Sequence, residues 1–334
     1  MNVWAVVLAG GEGVRLRPLV RRLLGEERPK QYVKLLGSRT LLRQTLDRVA
    51  LGIPVARTAV VTVTGHAGYI AEELAGAERP HVLAQPGNRG TAAAILHAAH
   101  WIASRDADAT LVVFPSDHLV VAETRFIAHV AEVAAWVERH PDRVVLLGAQ
   151  PTAPEVDYGW IEPGEPIGDL TTGPVSAVRR FCEKPSITQA RINLRSGHLW
   201  NTSVIVGNGA ALRLLGSRWV PQMSERLARA ASFVDTPHER AALHQAYELM
   251  GQASFSRAIL ERAPTSVAVS RLPRVTWSDL GSPRRVMEVL ADLESRPVGV
   301  GAGGGANQVE AGSGASRERS TLSSARSAGS TGIF

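Results

Sequence analysis

The sequence predicts an α/β fold, an open and mostly parallel sheet with helices on both faces. Three observations carry that expectation. Val-rich runs at Trp4–Ala9, Ala59–Val63 and Ala109–Phe114 have the length and apolarity of buried strands. Segments with helical spacing separate them, and such alternation implies a parallel sheet covered on both sides. Loops bearing glycine, glutamine or aspartate follow these strands, at the carboxyl ends where such sheets collect ligands.

Behind the first strand come Gly10, Gly11 and Gly13, then Arg15 and Arg17. Glycine lets the backbone turn sharply and bring N–H groups close to a bulky anion. Between strand and helix the usual anion is a phosphate chain. The glycines alone fit a flexible turn equally well, and the two guanidiniums tip the reading towards phosphate. The spacing matches neither G-x-G-x-x-G nor the Walker A loop.

Pro29 ends the following helix and leaves Lys30 on an extended segment able to reach back to the glycines. Thr40 caps a helix running to Ala50, Gly68–Ala75 is another helix, and His81–Gln85 is a short strand. Pro86–Thr91 is a loop, with Thr91 capping an alanine-rich helix to about Ser104. His97 and His100 fit a solvated face of that helix better than a metal pair. The strand ending at Phe114 runs into Asp117 and His118. Asp117 by itself reads as a helix cap; beside a phosphate loop it reads as a hard ligand for Mg²⁺.

A helix from about Thr124 to His140 precedes a strand at Arg143–Leu147. Gly159 stands where a ligand could approach closely. The strand Val175–Phe181 leads to Glu183 and Lys184, and Leu199–Val206 is a strand with Asn201 near its start. Two helices are expected within 209–262, and Asp279 precedes a glycine and a terminal helix. From about Pro297 the composition turns to Gly, Ser and Ala, which cannot bury enough surface to fold. The expected division is a folded domain at 1–296 and a disordered tail at 297–334.

Composition narrows the function classes. The chain has 334 residues, 45% of them hydrophobic and 20% charged, ordinary values for a globular protein. No apolar run is long enough for a membrane span, and the N-terminus lacks the basic start of a signal peptide, so a cytoplasmic location is expected. The single Cys182 leaves no internal disulfide and no cysteine-based zinc cluster. The net charge of +6 is scattered rather than striped, which argues for small anionic substrates over nucleic acid. Of the 37 Lys and Arg residues only Lys30, Lys34 and Lys184 are lysines, and two of these lie beside candidate site residues.

Eight motifs in order, LAGGEGVRLRPL, RPKQYVKLLG, QPGNRGTAAAI, FPSDH, DYGWI, FCEKP, WNTSVIV and WSDLGS, resemble the sugar-1-phosphate nucleotidylyltransferase family over about residues 3–290. The set is most similar to the bacterial mannose-1-phosphate guanylyltransferases. The resemblance implies a Rossmann-like glycosyltransferase-A fold with a mixed, mainly parallel sheet. It also implies a reaction in which mannose 1-phosphate and GTP give GDP-mannose and pyrophosphate. Leu8, Gly10, Gly11, Gly13, Gln85, Gly90 and Thr91 would then hold the nucleotide. Arg15 would hold the departing pyrophosphate, Lys30 would bridge the reacting phosphates, and Asp117 and Asp279 would bind Mg²⁺. Gly159, Glu183, Lys184 and Asn201 would take the sugar phosphate.

Three departures bear on specificity. The base loop reads Asn88-Arg89-Gly90-Thr91 rather than Arg-Asn-Thr-Ala. Thr202-Ser203 replace a small residue and glycine, and Ser256 stands where the family commonly has aspartate. The sequence ends without the isomerase domain of bifunctional relatives, so a single activity is expected, and a homodimer is compatible with it. The alternatives are the same reaction with another hexose phosphate or nucleotide, and a silent nucleotide-sugar-binding homologue. The second is disfavoured by the presence of Arg15, Lys30, Asp117 and Asp279.

Overall fold

Each Val-rich run becomes a strand of one sheet in the computed structural model, which describes residues 2–25, 27–76 and 78–294. The tail expected from 297 lies outside the described residues. In chain order the elements begin with β1 (Val3–Leu8), α1 (Arg17–Leu24), α2 (Leu41–Ala50), β2 (Thr58–Val63), α3 (Ala67–Glu73) and β3 (His81–Gln85). Next come α4 (Thr91–Ala103), β4 (Thr110–Pro115), β5 (Leu119–Val121), α5 (Glu123–Arg139), β6 (Val144–Ala149), β7 (Gly159–Leu170) and β8 (Gly173–Glu183). Then follow α6 (Ile187–Arg195), β9 (Leu199–Asn208), α7 (Gly209–Trp219), α8 (Pro221–Ala231), α9 (Glu239–Glu248) and α10 (Phe255–Ala258). The last are β10 (Val267–Arg271), β11 (Thr276–Ser278) and α11 (Pro283–Glu294).

The nine-stranded sheet of the described residues has the order β3-β2-β1-β4-β9-β6-β10-β8-β7. Strands β1 to β4 pair in parallel, as do β6 and β10, while β9 and β8 run against their neighbours. The sheet is therefore mixed and mainly parallel. Period-two alternation sends Trp4 and Val6 to the face covered by α4, α7, α8 and α9, and Ala5 and Val7 to the face covered by α2, α3 and α5. Burial on both faces explains the unbroken apolar runs.

Local expectations fail where tertiary contacts decide. Lys30 is not extended: Lys30–Tyr32 form one 3₁₀ turn. Thr91 is the first residue of α4 rather than its cap, because its hydroxyl accepts instead from the Phe255 N–H at 2.9 Å. No helix follows Asp117; the short strand β5 does, paired with β11. The stretch 209–262 holds α7 to α10 rather than two helices, since Pro221 opens a new helix directly after Val220. Strand β7 has no counterpart among the expected strands. Its prolines, Pro163 and Pro166, fall at register shifts in the outermost strand, where a missing donor is tolerated.

His97 is buried and His100 half-buried rather than on a solvated face. Helix α4 is covered by the sheet on one side and by α7 and α8 on the other. His97 Nδ1 and His100 Nε2 are buried without hydrogen-bond partners among the described residues. Burial pushes both rings from 6.5 down to about 4, and does the same to His129, which lies between Thr172 and Ser270. All three are thus neutral when folded, and their contribution to stability is complete above 6.5 and lost as pH falls from 6.5 towards 4. The expected loss is on the order of 2 kcal/mol for each ring by about pH 4.5, because each tenfold change in a protonation equilibrium is worth roughly 1.4 kcal/mol. Urea midpoints at about pH 7.5 and about pH 4.5 test this, and equal midpoints would contradict it.

Candidate active site

The site lies beyond the carboxyl ends of β1, β3 and β4. A cavity of about 350 Å³ there is lined by Leu8, Gly10, Gly11, Gln85, Gly90, Thr91, Asp117 and, from β9, Ser203. The glycine turn is fixed from below: Gln31 Nε2 donates to Ala9 O at 3.0 Å and to Gly11 O at 2.8 Å. Gly13 adopts φ +60°, and a Cβ there would stand 2.9 Å from the Lys30 backbone nitrogen. Only glycine meets both demands.

Lys30 is 7% exposed and lies between the two candidate acids. Its Nζ is 3.0 Å from Asp117 Oδ2 and donates to the Asp279 carbonyl oxygen at 2.6 Å. Asp279 Oδ1 accepts from Tyr158 Oη at 2.9 Å, the Gly281 N–H at 2.9 Å and Arg285 Nη1 at 2.6 Å. Burial alone would raise the Asp279 carboxyl, but His118, Arg285 and Lys30 outweigh it and hold it below the usual carboxylate value. Its Oδ2, which receives no hydrogen bond among the described residues, lies against Gly281. Asp117 opens onto the cavity, beside a His118 ring that burial shifts below the usual imidazole value.

The described residues bring no three His, Cys, Asp or Glu side chains together as a metal cage. They do bring the Asp117 carboxylate and the Asp279 backbone carbonyl to one ammonium, with the Asp279 carboxylate on the same residue and the glycine turn alongside. Mg²⁺ commonly takes one or two carboxylates and completes its shell with water and substrate phosphate, so this donor set fits it.

The base-side residues are tied to one another. Gln85, 3% exposed, accepts from Tyr247 Oη at 2.8 Å and donates to Thr62 O at 3.2 Å. Burial of its amide makes it a wall of the cavity rather than a free reader. Gly90 has φ +86°, and a Cβ on it would come within 2.2 Å of Ala253 O, so the 88–91 loop closes tightly on the 252–255 segment.

Among the residues expected to take the sugar phosphate, a Cβ at Gly159 would meet Glu183 Oε2 at 2.8 Å and Asn201 Cβ at 3.2 Å, which places these three residues around one small space. Burial raises the Glu183 carboxyl, while Lys184, Arg257 and the Ser256 hydroxyl act to lower it. Ser256 thus stands beside Glu183, where the family commonly has a carboxylate. Asn201 Oδ1 accepts from the Ser203 N–H at 3.1 Å and so supports Ser203 at φ +60°. That backbone conformation explains why glycine is usual at this position. Ser203 also lines the cavity beyond β1, β3 and β4, so that cavity adjoins the group of Gly159, Glu183 and Asn201 at Asn201–Ser203.

Two residues stand apart from these clusters. Lys184 is exposed at φ +52°, and Arg15 is paired with Asp157 at 3.1 Å rather than turned to the glycine loop. Sequence reasoning assigned no role to Gln31, Asp157, Tyr158 or Arg285. Gln31 directly follows Lys30 inside a recognised motif, which is a signal that could have found it. Arg285 lies 128 residues from Asp157 and carried no local signal.

The fold and the cleft are those of a chain that comparison with known proteins assigns to a family. The model of the family described as nucleotidyl transferase matches residues 4–296, and the chain belongs to that family. Among curated relatives, the xanthan biosynthesis protein XanB of Xanthomonas campestris pv. campestris is 31% identical over 294 residues, covering 86% of this chain and 59% of that protein. Mannose-1-phosphate guanylyltransferase of Sinorhizobium fredii is 31% identical over 282 residues, covering 83% of this chain and 52% of that enzyme. This chain therefore spans less than two thirds of these relatives' lengths. A crystal structure from Thermus thermophilus, described as mannose-1-phosphate geranyltransferase, superposes with a TM-score of 0.73 at 29% identity, covering 86% of this chain and 79% of that one.

Proposed function

We propose that the chain catalyses nucleotidyl transfer from GTP to mannose 1-phosphate, giving GDP-mannose and pyrophosphate. The observation that carries the reading is the junction at Ser203. One cavity is lined by Gly10, Gly11, Asp117 and Ser203, Asp117 pairs with Lys30, and the Ser203 N–H donates to Asn201, which stands with Gly159 and Glu183. The guanylyltransferase relatives supply the choice of base and sugar.

A phosphate oxygen of mannose 1-phosphate attacks the α-phosphorus in line, and the bond to pyrophosphate breaks on the opposite side. The nucleophile is already ionised near neutral pH, so no general base is required, and positioning with charge neutralisation does most of the work. Lys30 exchanges Asp117 for phosphate oxygens, Gly10, Gly11 and Gly13 offer backbone N–H groups, and Arg15 receives the leaving group. Asp117 and Asp279 would hold Mg²⁺, which when bound offsets charge on the phosphoryl oxygens. Glu183 and Asn201 orient the hexose, and Lys184 meets its phosphate.

A second reading keeps the chemistry and changes the substrates, and the altered loop Asn88–Thr91 favours considering it. Both are tested by crossing GTP, ATP, UTP and dTTP with mannose and glucose 1-phosphates in Mg²⁺ and measuring product. GDP-mannose is expected to form fastest. A different preferred pair would move the specificity to the 85–91 loop, and no product from any pair would overturn the reaction itself.

A further inference from the structure

Asp279 is held by residues from two other parts of the chain. Arg285, on α11 and 5% exposed, divides its guanidinium between Asp279 Oδ1 at 2.6 Å and Asp157 Oδ2 at 2.7 Å, with Glu155 Oε2 at 3.6 Å. It also lies 4.5 Å over the Tyr158 ring, whose hydroxyl donates to the same Asp279 oxygen. The Asp157 oxygen that binds Arg285 is 3.1 Å from Arg15 Nη1. A single carboxylate therefore joins the cation behind Asp279 to the cation beside the glycine loop. The two halves of this bridge differ. The Arg285 side chain is 6% exposed, whereas that of Arg15 is 54% exposed. The inner half is fixed and the outer half is weak and screened by solvent.

We propose that Arg285 is a positioning residue for Asp279, and that Asp157 is a resident anion which Arg15 gives up when a nucleoside triphosphate enters. This rests on the nucleotidyl-transfer reading. A phosphate chain carries several negative charges where Asp157 carries one, so Arg15 exchanges an exposed ion pair for a stronger partner. Asp157 is then shared by one cation instead of two and holds Arg285 more firmly. Occupancy of the phosphate loop is thereby linked to the orientation of the buried acid.

Three variants of the full chain test this with two readouts, GTP affinity in Mg²⁺ without sugar phosphate, and kcat. Asp157→Asn keeps an acceptor for Arg285 but releases Arg15, and GTP is expected to bind about two- to five-fold more tightly, the scale of an exposed ion pair. Asp157→Glu should restore wild-type affinity. In an Arg15→Met background the gain from Asp157→Asn should vanish, because it acts through that arginine; a gain that persists would reflect the general field and overturn the exchange. Arg285→Lys cannot span both carboxylates with one planar fork, so kcat is expected to fall about ten-fold or more with GTP affinity nearly unchanged. An unchanged kcat would overturn the positioning role. If the wild type binds no GTP, the nucleotidyl-transfer reading falls and takes this proposal with it. If it binds GTP and Asp157→Asn binds it no better, this proposal alone falls.

Discussion

Asp279→Asn is expected to lower nucleotidyl transfer by roughly 10²- to 10³-fold or more, the scale of losing one preorganised electrostatic group, while the protein stays folded. Asparagine has nearly the same shape, and its oxygen can still accept from Tyr158, Gly281 and Arg285. What disappears is the negative charge that Arg285 and Lys30 keep ionised despite burial. Arg285 retains Asp157 and Glu155 as counterions, so no buried cation is stranded. Asp117→Asn should act similarly on turnover and less on stability, since Asp117 is the more exposed acid of the two. Steady-state pyrophosphate release together with circular dichroism checks both variants. Near-wild-type turnover in either would remove that acid from the mechanism.

Lys30→Met should have a comparable effect on rate with an added cost in stability. The ammonium is buried, contacts Asp117 at 3.0 Å and donates to the Asp279 carbonyl at 2.6 Å, so its removal leaves two acceptors without a donor. The expected destabilisation is about 1–3 kcal/mol, the usual penalty for stranding buried polar groups, and the rate should fall by about 10²-fold or more. Lys30→Arg is not expected to rescue activity. The buried Nζ meets Asp117 at 3.0 Å and the Asp279 carbonyl at 2.6 Å as one compact donor, which a longer side chain with a planar head group does not reproduce. Chemical denaturation and kcat measured on the same preparations separate the two effects. Full activity in Lys30→Met would contradict the role given to this lysine.

The sheet was legible in the sequence because strands buried on both faces carry continuous β-branched runs, as in Ala59–Val63. The glycine turn, Lys30 and Asp117 were legible for a related reason: short motifs hold residues that meet at adjacent strand ends. What could not be read is what long-range packing decides. The Gln85 amide is taken up by Tyr247 Oη, 162 positions away. Asp157 and Arg285 appear in sequence as an ordinary loop acid and an ordinary helix cation. His97 and His100 looked like surface residues because nothing local shows that α7 and α8 cover an alanine-rich helix. Strand β7 was hidden by prolines that only its edge position makes harmless.

The most direct measurement on the central claim follows labelled phosphorus through the reaction of GTP with mannose 1-phosphate in Mg²⁺. Transfer at the α-phosphorus requires α-label to end in GDP-mannose and γ-label to end in pyrophosphate, with none in inorganic phosphate. Appearance of γ-label as inorganic phosphate, or on the sugar, would mean that the cleft cuts the triphosphate at a different bond and would contradict the mechanism.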